Sequence, residues 1–310
     1  MPFSAIVRKG SLLLALLVCL APPVSAQIED QIAAYTGANA KGYLQPLAKA
    51  IGSDFNSGIF RSASIPHMRP TLRLEILAMS AFFGDDDQSF RAVTEQGFSP
   101  KQYASAPTVV GSEKALLIEG DGGTTYAFPG GFDLHSFALA VPQLRVGGIF
   151  GTEAIFRYFA VQIGNEDIGD LSLFGFGLKH SISQYVPAAL PVDLSAGFFW
   201  QRFSIEKGEE SETRGDFIES NALSIGVQAS RKLAFFLVPY TGLSYDTHSM
   251  DVSYETGSEG EKEAVDVHFD KTGTMRFTLG LMLNLPGLNA FGEFNLASQS
   301  SIAFGVGLGF

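Results

Sequence analysis

The last ten residues, Ser301 to Phe310, alternate strictly between large apolar and small side chains. A repeat of two residues is the repeat of a β-strand, whose successive side chains point to opposite faces of the sheet. One face of this strand is therefore strongly apolar and the other is almost bare, so the strand must place its apolar face in an environment without water. The large residues are Ile302, Phe304, Val306, Leu308 and Phe310.

Similar alternating segments follow one another from about Phe137 to the end of the sequence. The clearest examples lie at residues 197–201, 223–230 and 275–284. Their second face consists mainly of Gly, Ser, Thr and Gln, whereas a soluble β-sandwich would place charged residues on its outer face. Large apolar residues opposite small polar ones are typical of a barrel whose outside contacts lipid and whose inside is a narrow lumen. We therefore predict an all-β membrane fold, an antiparallel transmembrane β-barrel.

The length of the alternating regions predicts the number of strands. Residues 71–83 and 135–310 accommodate about ten strands if each spanning strand uses about ten residues and its connections use roughly nine more. Roughly eight to fourteen strands are the alternatives. A further hairpin at residues 115–119 and 124–128 would raise the number to about twelve.

Two prolines interrupt the alternating regions. Pro142 and Pro239 fall inside predicted strands, where each removes one hydrogen-bond donor from the ladder. We therefore expect a bulge or an irregular rim at each position.

The connections between the predicted strands differ in charge. If the last strand ends in the periplasm, outer connections fall at residues 297–300 and, in three longer segments, at residues 163–170, 205–216 and 246–271. These three segments together hold 16 acidic and 4 basic residues, whereas the predicted inner turns hold only Arg231 and Lys232 as charged residues. The sorting of acidic residues to one side supports this orientation.

The first 26 residues have the pattern of a secretory signal peptide. Two basic residues precede an apolar stretch, Leu12 to Leu20, that is too short to span a bilayer. The small residues Val24-Ser25-Ala26 complete a cleavage site, so we expect the mature chain to begin at Gln27. Cleavage would also remove the only cysteine, Cys19, and would exclude disulfides and thiolate chemistry from the mature chain.

Two regions follow the signal peptide. Residues 27–66 read as a short helical segment with loops, because apolar residues recur at helical spacing between Tyr43 and Ile51. This segment is a candidate plug for the lumen. Residues 67–310 form the predicted barrel, in which residues 84–134 make a long, turn-rich outer loop.

The final strand also has a predicted role in assembly. A terminal aromatic residue behind an alternating apolar strand looks like the C-terminal β-signal that the barrel-assembly machinery recognises in outer-membrane proteins. An exposed strand edge can pair with an edge of that machinery before it pairs with the first strand of its own barrel. The residues of the predicted signal are Ile302, Phe304, Val306, Leu308 and Phe310.

Several motifs resemble those of an uncharacterised family of bacterial outer-membrane β-barrels, a domain of unknown function. The resemblance spans most of the mature chain and implies the fold and an outer-membrane location. It implies no catalytic residues. The motifs are Pro142 to Gly147, Gly151 to Glu153 with Arg157-Tyr158, Gly175 to His180 with Gln184-Tyr185, Tyr43 to Leu47, and Asn56 to Gly58.

Charged residues within strands are the candidate functional residues. A lysine or arginine that faces lipid at mid-depth costs about 2–4 kcal/mol, so we expect these side chains to line the lumen. Two interpretations remain open, a salt-bridged network that plugs a narrow barrel and a charged constriction that selects solutes. The narrow lumen of about ten strands favours the network. The residues are Arg73, Glu75, Glu153, Arg157, Lys179, Arg276 and Glu293.

The sequence disfavours an enzyme. His180-Ser181 and His248-Ser249 are adjacent pairs, and adjacent residues of a strand point to opposite faces, so neither pair can act as base and nucleophile. The histidines lack metal-ligand spacing, and Asp85 to Asp87 lacks the pattern of a calcium loop. We therefore predict no catalytic, cofactor-binding or metal-binding residues.

The predicted function is passage of a small solute, with an apolar solute as one option, through an outer-membrane channel or transporter. The alternative is a structural or surface-binding barrel with a closed lumen, and an outer-membrane lipid enzyme is a remote third. The predicted partners are outer-membrane lipid, lipopolysaccharide and, during biogenesis, the barrel-assembly machinery. A formal net charge of −11 argues against nucleic acid.

Overall fold

A computed structural model of the protein describes seven stretches of the chain. The predicted signal peptide, residues 1–26, and the terminal Phe310 lie outside them, so signal cleavage and the assembly signal remain predictions. The described residues are 34–95, 97–162, 168–186, 191–207, 216–233, 235–256 and 263–309.

The described chain contains one α-helix of more than one turn, and strands follow it. The helix, α1, runs from Gly37 to Phe55. Three single-turn 3₁₀ helices lie in connections. The strands are β1 Met68–Phe82, β2 Ser89–Val93, β3 Tyr103–Pro107, β4 Leu116–Glu119, β5 Thr125–Phe128, β6 Ser136–Ile149, β7 Thr152–Gln162, β8 Ile168–Ser181, β9 Asp193–Lys207, β10 Asp216–Ser230, β11 Leu237–Thr256, β12 Glu263–Leu285, β13 Leu288–Leu296 and β14 Ser301–Gly309.

Ten of these strands close into an antiparallel barrel. Neighbours along the chain pair from β6 through β14, and β1 closes the wall by pairing with both β14 and β6. The prediction of a barrel of about ten strands is therefore confirmed. The predicted extra hairpin exists as β4 and β5, but these strands have only four residues each and form a separate sheet outside the wall. A strand of four residues is too short to span a bilayer, which needs about nine to eleven.

The outer face of the wall is apolar, as the alternation predicts. On β14, Phe304, Val306 and Leu308 are 54%, 58% and 67% exposed, whereas the intervening Ala303 is fully buried. The same alternation holds on β12, where Phe277 faces outward and its neighbour Arg276 is buried inside. The large side chains thus cover the outside of the barrel and leave the inside to small and polar ones.

Neither proline produces a bulge, but one ladder of the wall ends beside each of them. The wall stays in register through Pro142, where β6 pairs with β1, and through Pro239, where β11 pairs with β12. Each proline also borders a second strand, but the pairing with that strand ends one residue short of the proline. On β6 the last residue paired with β7 is Gln143, and on β11 the last residue paired with β10 is Tyr240. The missing N–H therefore falls where a ladder has already ended.

One strand pair of the wall is incomplete. β6 and β7 are paired from their turn as far as Gln143 and Arg157. Beyond this pair, β6 continues away from the turn to Ser136 and β7 continues to Gln162 without pairing with each other. Pro142 is the first β6 residue beyond the paired part, and it has no N–H with which to extend the ladder. We call the unpaired outer parts of β6 and β7 the seam.

Helix α1 lies inside the barrel. It contacts β1, β6, β11, β12 and β14, which surround the lumen. All six residues from Ala50 to Phe55 are buried, and six residues exceed one helical turn, so every face of this part is covered. We call residues 34–66 the plug segment. Among the described residues, no helix is both long and apolar enough to cross a membrane.

The connection between β1 and β6, residues 83–135, covers one end of the plug segment. We call this connection the cap, its end of the barrel the outer end, and the opposite end, with the short turns, the inner end. The Asn39 side-chain amide donates to the Val93 carbonyl oxygen at 2.7 Å, and the Tyr43 hydroxyl donates to the Gly130 carbonyl oxygen at 2.9 Å. The helix therefore begins under the cap, and the chain runs down the lumen to enter β1 at the inner end.

Candidate functional site

The lumen has an apolar outer half and a charged inner half. In the outer half, Tyr43, Leu44, Leu47 and Ile51 of α1 pack against large apolar side chains of the wall, and all four are at most 6% exposed. On this side of the helix the packing forms a core like that of a soluble protein, whereas Lys49 on the opposite side is exposed. Wall residues of this core include Met79, Phe217, Met250, Val252, Tyr254 and Phe269.

The charged residues selected from the sequence lie in the inner half. Arg73 is half-buried, while its β1 neighbours Leu72 and Leu74 are exposed on the outer face. The other six are at most 6% exposed, so the alternation of each strand places them inside the barrel. They are Glu75, Glu153, Arg157, Lys179, Arg276 and Glu293.

Two arginines of the wall bind the C-terminal end of α1. Arg276 donates from Nη2 to the Ser53 carbonyl oxygen at 2.9 Å, and Arg157 donates from Nη1 to the Phe55 carbonyl oxygen at 2.8 Å. The last carbonyl groups of a helix have no partner within the helix, and they form the negative end of its dipole. The two guanidinium groups therefore supply both the donors and the positive charge that this helix end requires.

Other cations of the wall bind the chain beyond the helix. Arg157 also donates from Nη2 to the Ser57 carbonyl oxygen at 2.5 Å. Arg145 donates from Nη2 to the carbonyl oxygens of Gly58, at 3.2 Å, and of Ile59. Lys179 donates from Nζ to the carbonyl oxygen of Ser62 at 2.8 Å. The backbone of the plug segment is thus held at successive points, and the four residues that hold it, which we call the clamp, are Arg145, Arg157, Lys179 and Arg276.

Buried carboxylates neutralise part of the clamp. Glu153 accepts from Arg145 at 2.8 Å and lies 2.9 Å from the Lys179 ammonium. Glu75 is 3.2 Å from Arg145 and also pairs with Arg61 of the plug segment. The carboxylates therefore connect several strands of the wall with one another and with the plug segment.

Two further carboxylates of the wall lie nearer the end of α1. Asp246 pairs with Arg276 at 2.5 Å. Glu293 accepts from the Gly58 N–H at 2.7 Å and from the Tyr240 hydroxyl at 2.9 Å. Each carboxylate thus joins a wall residue to the network that surrounds the plug backbone.

The sequence reasoning missed three members of this network. Arg145 follows the same alternation as Arg157, because its neighbours Leu144 and Val146 point outward, so strand parity could have found it. The sequence predicts that Asp246 begins the outer connection 246–271, but β11 continues to Thr256 and places Asp246 inside the lumen. Arg61 lies in a segment without strand periodicity, and no sequence pattern indicates its position.

Three histidines make polar contacts at different places in the barrel. His268, exposed at the outer end, pairs with Asp251 and lies 3.6 Å from Asp270. His248 and Ser220 share a hydrogen bond of 2.8 Å, but the site is buried beneath Gly52 of α1. His180 forms hydrogen bonds with the hydroxyl groups of Thr152 and Tyr185 at the inner end, each 2.8 Å long. Within the described ranges, no group of three or more His, Cys, Asp or Glu residues is arranged to hold a metal ion.

We predict that Arg157→Met destabilises the barrel by about 2–4 kcal/mol, because it leaves the buried carbonyl groups of Phe55 and Ser57 without a donor. The measurement is urea-induced loss of the heat-modifiable folded band in gel electrophoresis. The matched control is Arg231→Met, which removes an exposed arginine at an inner turn and should change stability by less than about 0.5 kcal/mol. Equal stability of the two variants would show that the clamp does not hold the plug segment.

Solved membrane barrels with different activities resemble this fold weakly. A loop-deletion mutant of OmpT, an outer membrane protein of Vibrio cholerae, has 12% identity and a TM-score of 0.28, over 78% of this chain and 99% of that one. The outer membrane protease OmpT from Escherichia coli has 9% identity and a TM-score of 0.33, over 80% and 98%. The translocator domain of the autotransporter NalP from Neisseria meningitidis has 12% identity and a TM-score of 0.29, over 94% and 99%. Similarity at this level supports no argument about activity.

The sequence itself identifies a family. No curated protein sequence matches this chain. The model of one family matches residues 7–310, which is nearly the whole length. The chain therefore belongs to this family of unknown function, DUF6588.

Proposed function

We propose that the protein is a β-barrel of the bacterial outer membrane whose lumen is closed by its own plug segment, and that it serves as a structural or surface-binding barrel. The observation that supports this most directly is the complete burial of α1 from Ala50 to Phe55. A helix covered on every face leaves no path for a solute beside it. The closed lumen favours this function over the channel that the sequence analysis put first.

The outer face of the wall supports a membrane location. Soluble monomers rarely expose contiguous apolar patches larger than a few hundred Å². Here apolar side chains cover strand after strand, and outside the seam the paired strands leave no backbone edge for lipid to meet. Outer-membrane lipid and lipopolysaccharide are the partners that such a face requires. Exposed members on four strands are Leu74, Ile225, Val227, Leu279, Leu281, Val306 and Leu308.

The length of two strands supports the orientation. β11 and β12 have 20 and 23 residues, about twice the nine to eleven that a membrane-spanning strand needs. Their additional residues lie at the outer end, beside the start of α1, where Lys41 pairs with Asp270 at 3.2 Å. The start of α1 therefore lies beside a part of the barrel that projects beyond the membrane, on the side of the cap.

The cap offers the surface through which such a barrel would bind a partner. Phe90 and Tyr103 line an open groove of about 390 Å³ on the β2–β3 hairpin, and the Arg91 guanidinium lies 4.6 Å from the centre of the Tyr103 ring. Tyr103 is 61% exposed, and Leu117 of the neighbouring hairpin is 62% exposed. Exposed aromatic and arginine side chains are the residue types that most often dominate binding energy at protein interfaces.

We predict that the intact protein shows no channel events in planar lipid bilayers, because the plug segment fills the lumen. Deletion of residues 27–66 should produce steady conductance, since it empties the lumen but leaves the ten strands of the wall. A heat-unfolded sample of the same preparation is the control for contaminating porins. Steady conductance of the intact protein would contradict the proposed closed barrel.

The seam supports a second candidate function, lateral passage of a small apolar solute. An unpaired strand edge is costly in hydrocarbon, so the seam is the weakest part of the wall. Leu139 of β6 and Phe159 of β7 are half-buried at the seam and pack against the apolar outer half of the lumen. A solute could therefore move between that apolar region and the membrane without crossing the clamp.

The second candidate predicts that closing the seam stops uptake. If the register of β6 and β7 is continued into the seam, Leu139 lies opposite Val161. In the double variant Leu139→Cys with Val161→Cys, oxidation would therefore join the two strands by a disulfide. Cells that contain this variant should take up radiolabelled toluene only when the thiols are reduced. The control pair is Leu144→Cys with Phe156→Cys, which lies where β6 and β7 are already paired. Equal uptake by cells with and without the protein would exclude this function.

A further inference from the structure

We infer that the inner end of the lumen contains a binding site for one small inorganic anion of about the size of chloride. The site is a cavity of about 10 Å³ between the plug segment and the wall. Its lining combines cations of the plug segment and of the wall with a single carboxylate. The residues that matter are Arg61 and Ser62 of the plug segment with Arg73, Arg145, Glu153 and Lys179 of the wall.

The first argument for this site is its charge. Four cationic side chains line the cavity, but Glu153 is the only carboxylate in its described lining, and Glu75 behind it is the second acidic partner of the group. Three of these cations are buried and two carboxylates offset them, so one buried positive charge is left over, whereas Arg73 is half-buried at the rim. An arginine cannot shed its proton in a protein, and a buried charge without a counter-ion is strongly unfavourable. An anion in the cavity would remove much of this imbalance.

The second argument is a set of donors without acceptors. The Arg61 side chain is 3% exposed, and only its Nη2 atom has a partner, the Glu75 carboxylate. Its Nε and Nη1 atoms have no hydrogen-bond partner in the part of the chain that the structure describes. The Phe291 ring, with its centre 4.1 Å from the guanidinium carbon, contacts this group without accepting a conventional hydrogen bond. Buried donors are normally paired, so an acceptor is missing at this position.

The neighbouring buried cations, Arg145 and Lys179, do have hydrogen-bond acceptors. Arg145 donates to Glu75, Glu153 and two backbone carbonyl oxygens. Lys179 bonds Ser62 and lies beside Glu153. Among these three buried cations, the donors without an acceptor are therefore those of Arg61, and Oε1 of its partner Glu75 also has no hydrogen-bond partner in the described part of the chain.

Size and access select the occupant. A cavity of about 10 Å³ holds one water-sized molecule or ion, and a polyatomic anion such as phosphate is too large. Water would accept from Arg61 but would leave the charge imbalance unchanged. Ser64 is exposed and Arg73 is half-buried at the rim, so the cavity communicates with the inner end. A halide meets the requirements of charge, donors and size together.

The location gives the anion a role. Arg61 and Ser62 belong to the plug segment, whereas Arg73, Arg145 and Lys179 stand on three different strands of the wall. An anion between them would bind both parts at once and so would tie the inner end of the plug segment to the barrel. Because it binds only the assembled site, it would stabilise the folded, plugged barrel in proportion to its occupancy.

The test uses the full folded chain in detergent and compares sodium chloride and sodium bromide with sodium gluconate at constant ionic strength. We expect the midpoint of the heat-induced mobility shift to rise saturably, by about 3–5 °C at a tenfold excess of halide over the dissociation constant. Arg61→Gln should abolish this rise. Arg231→Gln, which removes an exposed arginine at the same end of the barrel, should leave it intact.

Two results would overturn the site. One is equal midpoints in halide and gluconate, and the other is a full halide-dependent rise in Arg61→Gln. If Arg61→Gln does not fold, broadening of the chloride-35 resonance by the intact protein provides the test. Broadening that bromide reverses would support the site, and the absence of protein-dependent broadening would reject it.

Discussion

The positive charges buried inside the wall are the constraint on which this structure depends. Arg145, Arg157, Lys179 and Arg276 stand on strands whose opposite face meets apolar surroundings, so their charged groups have nowhere to go but the lumen. An empty, narrow lumen would leave them poorly compensated. The carbonyl oxygens between Ser53 and Ser62 supply the missing acceptors. The helix end, in turn, gains donors that its own backbone cannot provide. Wall and plug segment therefore stabilise each other.

The two halves of the lumen hold the plug segment by different physical means. In the outer half, α1 is bound by apolar packing that tolerates small shifts of side chains, whereas the inner half depends on directional hydrogen bonds and ion pairs. Moving the plug segment inward or outward would break the clamp and bury its charges unpaired, a change that costs several kcal/mol per broken partner. This combination suits a barrel that stays closed. The seam begins directly beyond the pair of Gln143 with Arg157, so the clamp also marks the outer limit of pairing between β6 and β7.

The sequence predicts the wall far better than it predicts the contents of the lumen. Alternation along β14 identifies which residues face outward, because a strand has only two faces and lipid accepts only one kind of side chain. The same parity selects Arg157, Lys179 and Arg276. Arg61 escapes it, because its segment has no regular period and its position follows from contacts with distant strands. Strand parity does not identify Asp246, because the polar residues that follow it in the sequence resemble a loop. In the structure these residues continue β11 and pair with β12 as far as Thr256.

The central claim, that the plug segment lies inside the barrel, can be tested by one crosslink. The hydroxyl oxygens of Ser57 in the plug segment and Ser301 in β14 are 2.9 Å apart. The single natural cysteine, Cys19, lies in the predicted signal peptide. Ser57→Cys with Ser301→Cys should therefore form an intramolecular disulfide in protein extracted from membranes under mild oxidation, detected as a linked peptide pair by mass spectrometry. Ser57→Cys with Ser204→Cys should not, because Ser204 lies on the outer face of β9, next to the inward-facing Phe203. Free thiols in the first pair, under conditions in which the barrel is folded, would contradict the account.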